Sequence, residues 1–194
     1  MLDYQKRHGL LIRHMQRRLR TNKGFSLLEL IVSISIFATL AALSVPSFSL
    51  WITNSKVRTV AEALQNGINL AKAQAVQLNR SVQFSLTNDS PDATLAAAAI
   101  ANGKNWMIVS QPLITGETAT FVQGGQFGDL AANVTITGPA TLTFTPFGRV
   151  SPTATFDVSA SGTNRALRVI VAAGGDVRLC DPAKLITASP DGCP

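Results

Sequence analysis

The run GFSLLELIVSISIFATLAALSVP, residues 24–46, constrains this chain more than any other stretch. From Phe25 to Val45 it offers 21 residues with a single charged side chain, Glu29. As a helix that is about 31 Å, which matches a bilayer core of about 30 Å. A carboxylate deep in such a span costs roughly 2.5–3.5 kcal/mol on insertion scales, so an acid there calls for a partner.

Charge agrees with a membrane reading. The 194 residues carry 17 Lys and Arg against 11 Asp and Glu, a formal net charge of +6. Residues 1–23 hold Lys6, Arg7, Arg13, Arg17, Arg18, Arg20 and Lys23 against Asp3, which is 7 − 1 = +6, and the rest of the chain sums to zero. All the excess therefore sits in front of the apolar run, where a positive-inside signal belongs. It reports topology rather than a nucleic-acid partner. Two readings follow from this pattern alone: a plain single-span anchor, or a secretory signal cut after Ala42-Leu43-Ser44. Neither accounts for Glu29.

Lys23-Gly24-Phe25-Ser26-Leu27-Leu28-Glu29 resembles the cleavage site of type IV prepilins and pseudopilins. The resemblance implies that a prepilin peptidase cuts after Gly24, that the basic leader stays in the cytoplasm, and that the Phe25 amine is then methylated. A cation is thereby created one turn from Glu29. In the family, the glutamate of one subunit can meet the terminal ammonium of its neighbour. An unpaired carboxylate is costly in apolar surroundings and a paired one tolerable, so Glu29 is expected to mark the assembly register. Pro46, the twenty-second residue after the cut, is expected to bend the helix, because an interior Pro removes a backbone hydrogen bond.

Beyond Pro46 the pattern becomes two-faced. Val57, Ala61, Leu64, Ile68, Ala71, Ala75 and Leu78 recur at steps of four and three, which predicts an amphipathic helix to about Asn79 packed on the protein's own sheet. The stretch Leu70 to Val82, LAKAQAVQLNRSV, is similar to the helix-to-strand junction of the GspH/FimT family of minor pilins and pseudopilins. Lys72 and Gln74 stand where that family usually has Arg and Glu, so its salt bridge is expected to be missing, with a Gln74 hydrogen bond as the substitute.

Short β-prone runs then alternate with turn residues. The expected strands are 82–86, 106–111, 118–123, 134–137, 141–145, 154–159, 167–172 and 177–180, with a tight turn at Gly174-Gly175 before the last. Residues 124–128, GGQFG, read as a flexible turn, and the alanine-rich run 93–101 as a short helix or an inserted loop. The fold class expected is α+β and type IV pilin-like. Its parts are a basic leader (1–24), a transmembrane helix (25–46), an amphipathic helix (47–80) and a periplasmic β domain (81–194).

Catalytic signatures are missing from the sequence. The two histidines, His8 and His14, lie in the leader, and there is no phosphate-binding loop or nucleophile elbow. No enzyme activity, cofactor or metal is expected. Cys180 and Cys193 would stay reduced in the cytosol and would close beyond a membrane. A zinc site is the rival, made poor by the lack of further ligands. DNA is a weaker candidate partner. Some family members that serve natural transformation are thought to use a Gly-Arg-x-Arg turn, and here the stretch is Gly175-Asp176-Val177-Arg178. The acid would repel phosphate, leaving Arg178 and Lys184 as candidate weak contacts.

The resemblance thus implies a minor pilin or pseudopilin in the inner membrane, crossing it once, with a periplasmic C-terminal domain. Implied partners are the peptidase, other minor pilins and pseudopilins, the major pilin, the inner-membrane assembly platform and membrane lipid. The work implied is starting or capping a pilus, with a place at the tip. The alternatives are a GspH-type pseudopilin of type II secretion and a DNA-binding minor pilin.

Overall fold

Helix α1 runs Leu27–Leu78 in the computed structural model, which describes residues 24–128 and 132–194. Residues 1–23, which hold the charges and histidines of the expected leader and Lys23 of the cleavage motif, lie outside the described residues. The chain divides into two units, Met1–Ser44 and Val45–Pro194.

Among its described residues, the first unit is the start of α1. Its large side chains Leu27, Leu28, Leu30, Ile31, Val32, Ile34, Ile36, Phe37, Leu40 and Leu43 are all exposed. The helix contains a stretch long and apolar enough to cross a membrane, none of it buried in the protein. Its hydroxyls are satisfied within the helix: Ser33 donates to Glu29 O, Ser35 to Ile31 O, Thr39 to Ile36 O and Ser44 to Leu40 O. That is what hydrocarbon demands of polar groups that cannot reach water. The helix assignment continues across position 46, and the bend expected there remains a proposal.

In the second unit α1 buries Val57, Val60, Ala61, Leu64, Ile68, Ala71 and Ala75. The expected stripe is therefore present, widened by Val60. Leu78 departs from it and is exposed, because the helix stops there. Asn79 adopts φ 50°, Arg80 N–H reaches Ala75 O and Asn79 N–H reaches Val76 O. These are the two bonds of a Schellman cap, with Asn supplying the left-handed residue.

Two sheets receive the helix. The first has strand order β3-β2-β1-β5, built from β1 (Val82–Thr87), β2 (Asn105–Ser110), β3 (Thr120–Gln126) and β5 (Thr141–Phe144), all antiparallel. The second has order β4-β6-β7-β8-β9, from β4 (Val134–Thr137), β6 (Ala154–Ala160), β7 (Leu167–Val171), β8 (Val177–Leu185) and β9 (Gly192–Cys193). Only the β8–β9 pair in it is parallel. Phe84 of β1 joins the sheets in the core, stacking on Trp106 at 5.8 Å and meeting Phe156 of β6 edge-on at 6.1 Å. Aromatic pairs at these separations add to the stabilisation from area alone.

Two expectations change, and one choice left open is decided. The glycine run is not a turn: Gly124, Gly125 and Gln126 lie in β3, paired to β2. A Cβ on Gly125 would come within 2.4 Å of the Trp106 ring, and one on Gly67 of α1 within 3.1 Å of it, so the indole occupies a slot between two glycines. Of the two readings of the alanine-rich run the inserted loop holds; Ala97 is buried with Met107 and Val109, and Leu95, Ala119 and Phe121 pack around them. Finally, β8 continues five residues beyond Cys180, through Pro182 to Leu185.

Candidate functional site

At the N-terminal end, Gly24, Phe25 and Ser26 are non-helical and exposed. Ser26 O accepts the Leu30 N–H at 3.1 Å and Ser26 Oγ accepts the Glu29 N–H at 3.1 Å, which makes Ser26 the N-cap. The spacing Ser26-x-x-Glu29 is that of a capping box, a signal legible in the sequence and missed by the reading above. Glu29 is exposed in the first turn, and its carboxylate has no partner among the described residues. A first-turn acid also complements the helix dipole.

In the second unit the structure brings Arg178, Lys184, Cys180 and Cys193 together. Cys180 and Cys193 form a disulfide, both cysteines buried, with Cα atoms 5.1 Å apart. Arg178 turns inward across this loop and donates to Pro190 O at 3.1 Å and Gly192 O at 3.3 Å. Lys184 Nζ lies 2.5 Å from Asp191 and 3.8 Å from buried Asp181. Hydrogen bonds from Lys184 and then from the Ser189 hydroxyl hold the Asp191 carboxyl at about 2, below its usual 3.8. Both basic side chains weighed as DNA contacts are thus engaged in closing the C-terminal loop.

The β7–β8 turn forms as expected at Gly174-Gly175, with Gly175 at φ 81°. A Cβ there would strike Gly148 O at 1.9 Å, so this turn packs directly on the one between β5 and β6. Asp176 beside it faces Lys72 of α1 at 4.0 Å. The departure from Gly-Arg-x-Arg therefore sets an acid opposite a helix cation. Among the described residues Gln74 bonds within the helix, to Gln77 at 3.4 Å, and does not replace the family's salt bridge. The junction is tied instead by Arg80, 2.5 Å from Glu117, whose other oxygen accepts Leu113 N–H at 2.8 Å. These bonds, the Leu113 amide first, lower the Glu117 pKa. Arg168 makes a two-point pair with Asp157 across β6–β7, at 2.6 and 3.0 Å.

Among the described residues, no group of three or more His, Cys, Asp or Glu could hold a metal ion. What the described residues present is an apolar helix with one acid unpartnered among them, and a β domain whose charges are largely paired internally.

A long N-terminal helix combined with antiparallel sheets defines a type IV pilin-like protein. The type IV minor pilin FimU of Pseudomonas aeruginosa shares this fold, at 22% identity over 68% of this chain and 92% of that one, TM-score 0.51. The minor pseudopilin EpsH from the type 2 secretion system of Vibrio cholerae is 13% identical over 66% of this chain and 99% of that one, TM-score 0.48. A sequence comparison with curated proteins finds no match. The family model for type II transport protein GspH matches residues 60–175, and that for the prokaryotic N-terminal methylation motif matches residues 19–45. The chain belongs to the GspH family of minor pilins and pseudopilins. These are structural subunits that interact with other pilins, and its apolar N-terminal helix is the membrane anchor of a pilin.

Proposed function

We propose that the chain is the precursor of a minor type IV pilin, cut after Gly24, methylated at Phe25 and held in the inner membrane by residues 25–46, with the β domain in the periplasm. It joins a tip or priming complex of minor pilins and helps start or cap the filament. The observation that carries this reading is Glu29: an unpartnered carboxylate in an apolar helix, four residues from the new amine and inside the matched methylation motif. A subunit seated at the wrong stagger leaves that acid buried without its cation, which is strongly unfavourable, and the correct stagger pairs it. The disulfide supports the periplasmic placement, since such bonds persist in oxidising compartments.

Mass spectrometry of the native polypeptide tests the reading. The expected N-terminus is methylated phenylalanine, and any other first residue removes the filament-subunit interpretation. Glu29→Ala is expected to fold its β domain normally and to be lost from purified pili; normal incorporation would refute the register role.

A pseudopilin of type II secretion is the second reading, favoured by the description of the matched family. A deletion that stops protein secretion and leaves pili intact would establish it. For DNA binding the internal engagement of Arg178 and Lys184 is unfavourable; tight, salt-sensitive gel shifts would reverse that judgement.

A further inference from the structure

The geometry points to Ser26 as a positioning residue for leader removal: its cap holds the scissile carbonyl outside the helix. This rests on the reading of Gly24–Phe25 as the bond that is cut.

A peptidase needs the carbonyl carbon of the bond it cleaves open to water and its backbone free to align in the active site. Within a helix each carbonyl accepts the N–H four residues ahead. The carbonyl at issue belongs to Gly24, and its helical partner would be Leu28 N–H. That of Phe25 would be Glu29 N–H. In the structure the first helical bond falls instead on Ser26 O, from Leu30, and the Glu29 N–H is taken by the Ser26 hydroxyl. The hydroxyl therefore occupies the very donor that would carry the helix back onto Phe25. Two residues upstream Gly24 stays non-helical and exposed, with open space where a side chain would be.

Removing the hydroxyl removes this stop. Glu29 N–H becomes free to bond Phe25 O, Leu28 N–H follows onto Gly24 O, and Gly24 becomes the next residue able to cap, since glycine is itself a fair N-cap. The scissile carbonyl is then engaged in the first turn. The role differs from direct recognition of the Ser26 side chain in one measurable respect. Glycine at an N-cap loses only a little of the serine's effect, alanine much more, although neither has a hydroxyl for an enzyme to touch.

The test measures cleavage of the full chain in detergent by a prepilin peptidase, with the product N-terminus read by mass spectrometry. Ser26→Ala is expected to be cut about fivefold more slowly than the natural chain, with Ser26→Asn and Ser26→Gly within about twofold of it. Carbonyl carbon shifts of uncut Gly24 and Phe25 should move toward helical values in Ser26→Ala alone. Equal rates for Ser26→Ala and the natural chain would overturn the inference. So would equal slowing of the alanine and glycine variants, which would mean that the enzyme reads the side chain. If the natural chain itself is not cut after Gly24, the proposed function falls and the role of Ser26 with it.

Discussion

Leu40 and Leu64 lie on the same helix, and their side chains obey opposite rules: Leu40 is 60% exposed and Leu64 wholly buried. The first unit presents its large apolar side chains outward along the turns from Leu27 to Leu43, while the second encloses its own in a core with Phe84, Trp106 and Phe156. Residues assigned to one helix thus meet two kinds of surroundings. Where its surroundings come from lipid or other subunits, nearly any apolar residue serves, and on the proposed function specificity would rest on Ser26 and Glu29. Where they come from its own sheets, each position meets a particular neighbour, and a single methylene is felt.

The widest separation between the two regimes should come from matched truncations. Leu64→Ala is expected to lower the stability of the β domain by about 3–4 kcal/mol, the cost of lost burial plus a cavity. Leu40→Ala should leave it within about 0.5 kcal/mol. Urea unfolding of the full chain in micelles, followed by Trp106 fluorescence with Trp51 replaced by Phe throughout, compares them directly. A comparable loss from Leu40→Ala would erase the distinction.

The disulfide sharpens the comparison next. Cys193→Ser is expected to cost about 3 kcal/mol, because the crosslink closes a short loop that the unfolded chain would otherwise explore. The effect should be confined to the β domain. Helicity of the apolar segment should be unchanged, read from the backbone chemical shifts of residues 27–44 in the full-length variant against the natural chain in micelles.

How much of this was legible in the residues follows from how local each determinant is. The buried stripe of α1 could be read because helical period and burial coincide at Val57, Ala61, Leu64, Ile68, Ala71 and Ala75. Strands β4 and β7 could be read because β-branched residues are bounded by their own turns. The glycine run was misread because its reason lies elsewhere in the chain: Trp106 on the adjacent strand requires a neighbour without a side chain. Residues 93–101 showed no period because their shape comes from side chains bonding nearby backbone. Asp92 accepts from the Thr94 amide and Asp89 from that of Ala98, and Ala97 fills a gap over β2. At the candidate sites, the Cys pair was visible as spacing. The inward engagement of Arg178 was not, since its partners are backbone carbonyls twelve and fourteen residues on.

The smallest expected effect concerns Asp191, and it tests whether the second unit's charges hold its C-terminal loop in place. Lys184 and Ser189 lower this carboxyl to about 2 from 3.8. A group whose folded pKa lies below its unfolded value stabilises the fold above the unfolded pKa, and that contribution fades as pH falls through the folded one. The stabilisation is therefore full above about pH 4 and declines between there and about pH 2. Because Asp191 is half exposed, solvent screens the pair and the contribution is small. Asp191→Asn should reduce the slope of stability against pH in that window and leave the slope above pH 5 unaltered. Salt should weaken the natural chain toward the variant, as it does for exposed ion pairs. An unchanged acid limb in Asp191→Asn would assign the loop's closure to the disulfide and the Arg178 backbone bonds alone.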